Sequence, residues 1–317
     1  MGSEARNLFS LMKKDGPVKE YAAYLNEQIS SLKPKMQKDA FGKIVGSSNS
    51  QFIECIAELT AMSLWKHFKW DYEKDSKING KTPDFKVTID SNNSFIAEVT
   101  ILRSNHPHRE ILIKRERRNI FDLIKSVFAK NPIKQKLIIQ NQITGEILKK
   151  LPPATQPIEQ SNRVNVEINQ KFHKYNGIIK TLDMPFIICF YQPKFKDYFY
   201  IDDFQINNAL YGNKKINFST GETFHYPEIS RDSFGNPISE GIFCFKEYSN
   251  LTAIVFIIKQ FSIEKQKYIF LVSIYSNPLG KWGRIENNPL NQFGLKINSI
   301  DENDNIIFAE PNTIELY

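Results

Sequence analysis

The fold is decided by the stretch Asn79–Thr100, which reads NGKTPDFKVTIDSNNSFIAEVT. Asn79-Gly80 is a dipeptide typical of tight turns, and Pro83 has no backbone N–H to donate within a sheet. A strand is therefore expected to begin near Asp84. The residues that follow alternate between apolar and polar side chains, which is the period of a strand buried on one face.

A second strand follows after a short turn. Residues 91–94 are all polar and favour a turn, and the run from Phe95 to Ile101 is apolar on both faces, which predicts a central strand. Glu98 stands out within that run, because a buried carboxylate must be paired, protonated or bound to a cation. Asp84 lies at the start of the neighbouring strand. Two carboxylates that converge at the edge of a sheet favour a site for a divalent metal ion.

The composition is that of an ordinary globular protein. The chain has 317 residues, enough for one large domain or two smaller ones, and is 41% hydrophobic and 24% charged. The formal net charge is +7 and the pI is about 9.0. This excess of positive charge favours a polyanionic partner, nucleic acid first, although a charged surface that keeps the protein soluble explains it equally well.

The cysteines and the apolar runs indicate a cytoplasmic location. Cys55, Cys189 and Cys244 lie far apart in apolar runs and form no CxxC pair, so they predict buried thiols rather than disulfides or a zinc site. The N-terminus has no apolar signal core, and the longest apolar runs are too short to span a bilayer. We therefore expect a cytoplasmic protein with no membrane partner.

The N-terminal part is predicted to be helical. Residues 1–48 predict an arm of two short helices, broken near Gly16-Pro17 and followed by a loop from Gly42 to Asn49. Residues 50–70 predict a largely buried helix, because it is apolar over much of its circumference. Glu54 and Glu58 lie four residues apart on this helix and are neighbours on its surface. Taken alone, both are best explained as partners of nearby Lys or Arg residues.

A strongly basic segment follows the central strand. Residues 109–129 predict a helix whose cations suit a phosphate backbone, although a solvated surface helix is an equally good interpretation. The preceding loop holds His106 and His108. Without a cysteine partner they make only a weak case for zinc.

The rest of the chain alternates between helix and strand patterns and predicts a mixed α/β fold. Helices are expected at 161–177 and at 202–210, the second ending at Gly212. Strands are expected at 136–143, 185–191, 253–258, 268–275 and 294–297. The last third, residues 196–317, is predicted to be a strand-rich extension that packs on the preceding part.

The order of these segments resembles the PD-(D/E)xK nuclease superfamily, the restriction-endonuclease-like group, over residues 50–191. Pro83-Asp84 matches the PD pair, and Glu98-Val99-Thr100 matches the (D/E)xK tripeptide. That superfamily has a helix, three strands that are mainly antiparallel, a second helix and a fourth strand. The resemblance implies a restriction-endonuclease-like core at 49–195, in which helices flank a central mixed sheet.

The resemblance also implies a cofactor and a set of metal ligands. Asp84 and Glu98 would bind Mg²⁺, with Mn²⁺ as a substitute, and Glu54 would complete the coordination as the helix glutamate that many members add. The metal ion would activate water and neutralise the scissile phosphate.

The sequence departs from the motif at its lysine. Thr100 stands at that position, on the same strand face as Glu98, and a hydroxyl carries no positive charge. The motif lysine stabilises developing negative charge or helps to deprotonate water. We expect the cation to have moved to Lys171 on the second helix, with Lys174 and Arg103 as alternatives. The predicted catalytic residues are therefore Asp84, Glu98, Thr100 and Lys171.

The predicted function is that of a Mg²⁺-dependent endonuclease that hydrolyses phosphodiester bonds in DNA, of a restriction or phage-defence kind. A homodimer is expected, because cutting both strands often needs two active sites. The alternative is a catalytically impaired protein of the same fold that serves as a nucleic-acid-binding or assembly module. The residues expected to bind nucleic acid are Arg103, Arg109, Lys114, Arg117, Arg118 and Lys174.

Overall fold

The structure is a computed structural model. It describes residues 17–45, 49–102, 157–182, 184–193, 203–216, 219–220, 223–226, 228–231, 237–262, 267–282, 288, 290–291, 295–300, 306–307 and 309–315. The predicted basic helix, the two histidines and the strand at 136–143 lie outside these residues. The same holds for Arg103, Arg109, Lys114, Arg117 and Arg118.

The described chain contains five α-helices and two short 3-10 helices. The α-helices are α1 Pro17–Ser30, α2 Pro34–Val45, α3 Asn49–His67, α4 Pro157–Leu182 and α5 Asp203–Tyr211. The 3-10 helices are Ile242–Cys244 and Lys246–Tyr248.

Thirteen strands lie in the same described ranges. They are β1 Asp71–Lys74, β2 Phe85–Thr88, β3 Ser94–Ile101, β4 Phe186–Pro193, β5 Asn213–Ile216, β6 Thr223–Tyr226, β7 Glu228–Arg231, β8 Pro237–Glu240, β9 Ala253–Ser262, β10 Lys267–Ser276, β11 Ile297–Ile300, β12 Ile306–Ile307 and β13 Asn312–Ile314. Nine of them form one sheet in the order β1-β2-β3-β4-β9-β10-β11-β12, with β13 also paired to β10. The pairs β5–β6 and β7–β8 form two small separate sheets.

The large sheet is mixed, as the sequence predicts. β1, β2 and β3 pair antiparallel, β4 is parallel to both β3 and β9, and β9 pairs antiparallel with β10. The prediction of a mixed α/β protein, with helices that flank a central mixed sheet, is therefore confirmed.

The helices cover both faces of the sheet. Phe95, Ala97 and Val99 of β3 belong to the apolar cluster that also contains the buried residues of α1, α2 and α3. Ile96 belongs to a second cluster, with the buried residues of α4 and α5. Successive strand residues point to opposite faces, so α3 and α4 lie on opposite sides of the sheet.

Two features of the N-terminal half differ from what the sequence predicts. Asp71–Lys74 forms the edge strand β1, where no strand was predicted, because its charged, half-exposed sequence hides the strand period. The loop expected from Gly42 is helical as far as Val45, because Ile44 is buried in the core. α1 does begin at Pro17, as expected from the break predicted there, since proline suits the first helical position.

The second half shows other differences from the sequence predictions. α4 is longer than the expected 161–177 and includes Gly177 in its interior. β11 begins at Ile297, the residue at which the predicted strand 294–297 ends. α5 agrees with the prediction, and Gly212 follows it with a φ of 78°, a left-handed conformation that favours glycine.

None of the helices in the described ranges is both long and apolar enough to cross a membrane. The predicted C-terminal extension also shares the main sheet, because β9 pairs with β4 over seven residues.

Candidate active site

The pairing of β2 with β3 places Asp84 beside Glu98. Phe85 is opposite Ala97, so the residue before β2 lies level with Glu98 and on the same face of the sheet. The Val99 N–H donates to Oδ2 of Asp84 at 2.8 Å, and the Asp84 N–H donates to Oε1 of Glu98 at 3.1 Å. These two hydrogen bonds hold the two carboxylates side by side.

Lys171 forms an ion pair with Glu98. Its Nζ lies 2.9 Å from Oε2 of Glu98, whose side chain is fully buried, while that of Lys171 is 24% exposed. The lysine belongs to α4, which packs on the same face of the sheet. A buried carboxylate is costly without a partner, so this ion pair explains how Glu98 is tolerated in a central strand.

The pKa values of Asp84 and of Lys171 are both raised, for different physical reasons. Burial and the charge of Glu98 raise the pKa of Asp84 to about 6, although Lys171 and the Val99 N–H act against this rise. Burial alone lowers the pKa of Lys171, but Glu98 and Asp84 outweigh burial and raise it. Lys171 is therefore cationic at neutral pH, and an ionised Asp84 lies in an environment that an added cation would stabilise.

Tyr175 lies one turn after Lys171 on α4 and contacts the segment before Asp84. Its hydroxyl donates to the backbone oxygen of Thr82 at 2.9 Å. Burial, together with the nearby carboxylate of Glu98, raises the pKa of this hydroxyl, so it remains protonated and able to donate. The sequence analysis did not identify Tyr175.

Thr100 contacts a third carboxylate. Its hydroxyl donates to Oε2 of Glu167 at 3.5 Å, and the charge of Glu167 also raises the pKa of Lys171. Glu167, Lys171 and Tyr175 follow each other at intervals of four residues, so they share one side of α4. That spacing was visible in the sequence and is the signal by which Glu167 and Tyr175 could have been found.

The helix glutamates lie on the other side of the sheet. α3, which carries Glu54 and Glu58, packs on the face opposite to Lys171. Glu58 pairs with Lys74 at 2.6 Å and with Lys43 at 3.7 Å, and its charge contributes to the raised pKa of Asp84.

The described residues contain no group of three or more His, Cys, Asp or Glu side chains placed to hold a metal ion. The structure thus brings Asp84 and Glu98 together but does not add Glu54 to them.

Lys174 is the predicted DNA-binding residue that the structure describes. It is exposed on α4, and its Nζ lies 4.5 Å from the centre of the Tyr175 ring. This position is close to the carboxylate pair, because the Tyr175 hydroxyl contacts the segment that leads to Asp84.

The carboxylate pair has the chemistry of a Mg²⁺ site. Mg²⁺ usually keeps several waters and is bound through one or two carboxylates together with substrate phosphates. Asp84 accepts the Val99 N–H through Oδ2, and Oδ1 has no hydrogen-bond partner among the residues described. Asp84 and Glu98 therefore fit a site that water and phosphate oxygens complete, and the raised pKa of Asp84 is the electrostatic cost that a bound cation removes.

Comparisons of the chain with protein-family models, with curated proteins and with solved structures found no match. The motif at Pro83-Asp84 and Glu98-Val99-Thr100 therefore stands as a resemblance of sequence. The observations that bear on function are the paired carboxylates and the lysine that contacts them.

Proposed function

We propose that this protein is a metal-dependent nuclease of restriction-endonuclease-like fold, with DNA as its substrate. The observation that carries this proposal is the contact between Lys171 and Glu98, at 2.9 Å, beside Asp84. The sequence motif lacks its lysine, and a lysine from another element reaches the same carboxylate. Two carboxylates and one cation then form the set that metal-dependent phosphodiester hydrolysis needs.

The order of the elements supports the same proposal. The resemblance implies the order helix, three strands, helix, strand, and the described elements follow it as α3, then β1, β2 and β3, then α4 and β4. β4 is parallel to β3. The paired carboxylates come from β3 and from the residue before β2, which are the positions of the motif.

Each residue has a distinct role in the proposed reaction. Asp84 and Glu98 would hold Mg²⁺, which would supply an activated water molecule and neutralise the charge of the scissile phosphate. Lys171 is fixed by Glu98 and presents a positive charge where negative charge develops on the phosphate. Its raised pKa suits electrostatic stabilisation better than proton abstraction, because the ammonium does not lose its proton readily.

The direct test is incubation of the purified protein with supercoiled and linear DNA across Mg²⁺, Mn²⁺ and Ca²⁺. We expect Mg²⁺- or Mn²⁺-dependent cleavage by the wild type and a loss of at least about 100-fold in Asp84→Asn and Glu98→Gln, because each variant removes a metal-binding charge. Lys180→Met is the control, since Lys180 lies exposed on the same helix, α4, nine residues after Lys171. Full activity in both carboxylate variants would rule out this site.

A measurement without DNA separates metal binding from catalysis. A ligand that binds the folded state raises the melting temperature, so Mg²⁺ is expected to stabilise the wild type at pH 7.5 and not Asp84→Asn. The effect should be smaller at pH 5, where Asp84, with a pKa of about 6, is mostly protonated. Salt-dependent DNA binding that a chelator does not change, without cleavage or Mg²⁺ stabilisation, would instead favour the catalytically impaired binding module.

A further inference from the structure

A short hairpin projects beside the candidate site. We call it the 75–84 hairpin, since it links β1 to β2 and ends at Asp84. At its base, the Asp75 N–H donates to the backbone oxygen of Asp84 at 3.1 Å. At its tip, the backbones of Ile78 and Lys81 form reciprocal hydrogen bonds of 2.8 and 3.0 Å. Asn79 and Gly80 at the tip have φ values of 45° and 80°, the left-handed pair of a type I′ turn.

The hairpin is fastened to α4 at two points. The Tyr175 hydroxyl donates to the backbone oxygen of Thr82 at 2.9 Å. Ile78 packs against the apolar cluster that contains the buried residues of α4. Tyr175 itself is buried and its ring lies against Phe186, with ring centres 6.0 Å apart. The hairpin is therefore held in one position relative to Lys171.

The hairpin carries two exposed lysines, one on each side of its tip, and the exposed carboxylate of Asp75 at its base. Neither Lys77 nor Lys81 forms a salt bridge with any residue that the structure describes. Lys174 of α4 is a third exposed cation and lies over the ring of Tyr175, whose hydroxyl contacts Thr82 of the hairpin. Three exposed cations thus lie on two elements that are in contact, one of which leads directly to Asp84.

A polyanion that binds at this site needs cations near the two carboxylates. A polyanion that approaches Asp84 and Glu98 meets two carboxylates, and the ammonium of Lys171 is already paired with Glu98. Like charges repel at short range, so a phosphate backbone must be held by cations beside the carboxylates. Lys77 and Lys81 are exposed on the segment that leads to Asp84, and neither has a salt-bridge partner among the described residues.

We propose that the 75–84 hairpin, fastened to α4 by Tyr175, binds the phosphate backbone of duplex DNA through Lys77 and Lys81. This inference rests on the proposed function, in that the bound duplex is the substrate of the same site. The hairpin would position the duplex without reading its sequence, because phosphate contacts carry no base information.

The test measures how DNA affinity depends on salt, in buffer with a chelator so that no cleavage occurs. For a labelled duplex, log K falls linearly with log salt concentration, with a slope of about 0.9 per phosphate contact. The variant Lys77→Gln/Lys81→Gln is expected to reduce that slope by about two and to weaken binding at least about tenfold at low salt. The control Lys33→Gln/Lys35→Gln makes the same change in net charge at exposed positions near α2, on the other face of the sheet.

The two pairs of substitutions decide the inference. A reduced slope in the hairpin variant alone supports it. An unchanged slope in that variant, an equal reduction in both variants, or no detectable binding of duplex by the wild type overturns it. Binding with the expected slopes but no cleavage under any metal would leave the hairpin inference intact and refute the proposed function.

Tyr175→Phe tests the fastening separately from charge. This variant keeps every cation and the aromatic ring, so we expect DNA affinity and cleavage to fall several-fold while the salt slope stays near that of the wild type. Tyr248→Phe is the control, because its hydroxyl donates to Asn169, also on α4, away from the hairpin. Equal affinity and cleavage in Tyr175→Phe and wild type would contradict a role for the hydroxyl in holding the hairpin.

Discussion

At the scale of single residues, Asp84 is the clearest sign that this site is built for function. A half-buried carboxylate beside a second, fully buried carboxylate is unfavourable, and the ammonium of Lys171 is in contact with Glu98. Burial and Glu98 raise the pKa of Asp84 from 3.8 to about 6. Proteins retain such unfavourable charges at sites where a ligand or a reaction uses them.

The raised pKa of Asp84 predicts how stability depends on pH. The folded state binds the proton more tightly than the unfolded state, so stability falls as the pH rises from about 4 to about 6 and stays lower above that window. Asp84→Asn removes this penalty and should be more stable than wild type at pH 7.5, with a difference that shrinks towards pH 4. Urea unfolding at the two pH values, without divalent metal, measures it.

Asp90 provides a control with the opposite sign. Hydrogen bonds from the Asn93 side chain and the Asn92 and Asn93 backbone lower the pKa of this exposed carboxylate. The contribution of the ionised Asp90 to folding stability is present above the unfolded pKa and is lost as the pH falls. Asp90→Asn should therefore be less stable than wild type at pH 7.5, and the two should be equally stable at low pH. A wild type that is more stable than Asp84→Asn at pH 7.5 would contradict the electrostatic account of Asp84.

At the scale of elements, the candidate site depends on how α4 lies across β3. The carboxylates were predictable, because Glu98 interrupts an apolar strand and Asp84 follows a proline after a turn. Lys171 was predictable as a relocated cation only with the motif in mind, since its contact with Glu98 spans 73 residues of sequence. The contact of Tyr175 with Thr82 spans 93 residues, and a separation of that length also explains why it could not be predicted.

Other elements were misjudged for reasons of tertiary context. β1 is a strand because its backbone pairs with β2, whereas its side chains alternate between exposed and half-buried and give no apolar signal. α4 continues through Gly177, because Ile179 beyond it is buried in the apolar cluster that α4 shares with the sheet. Local sequence patterns carry little of this information, since packing overrides intrinsic propensity.

The turn after β10 gives a prediction at the same scale. Asn277 is fully buried. Its Nδ2 donates to the backbone oxygens of Tyr248 and Leu251 at 2.8 and 2.9 Å. Its Oδ1 accepts from the Leu279 N–H at 3.0 Å. Asn277→Ala leaves these backbone groups without partners and should lower the free energy of unfolding by about 2–4 kcal/mol. Chemical denaturation measures the loss.

Leu279→Ala is the matched control for that turn. The Leu279 side chain is 50% exposed and its removal should cost less than about 1 kcal/mol. A loss in Asn277→Ala as small as that of the control would show that the turn does not depend on the asparagine.

At the scale of the whole molecule, one sheet connects the candidate site to the C-terminal third. β4 pairs with β9 at seven positions, and β9 pairs with β10 at ten. Phe190 of β4 and Phe256 of β9 also stack, with ring centres 5.0 Å apart. The residues that were predicted to form an extension therefore complete the sheet on which Glu98 lies.

This continuity predicts the behaviour of a truncated chain. A chain of residues 1–195 lacks β9 and exposes the apolar edge of β4, so it should not form a stable monomer and should aggregate, because an uncovered apolar edge strand is a site of association. Size-exclusion chromatography and circular dichroism measure this beside the full chain, which should unfold in one transition. A soluble monomer of 1–195 with cooperative unfolding would contradict the dependence on β9.

The proposed nuclease function requires Lys171 to replace the missing motif lysine. The most direct test compares Mg²⁺-dependent plasmid cleavage by wild type, Lys171→Met and the double variant Lys171→Met/Thr100→Lys, with thermal unfolding of each as the measure of folding. We predict that Lys171→Met loses at least about 100-fold in rate, since it removes a charge that stabilises the transition state. The double variant should recover part of that rate, because position 100 lies on the Glu98 face of β3. Cleavage by Lys171→Met at the wild-type rate would contradict the account.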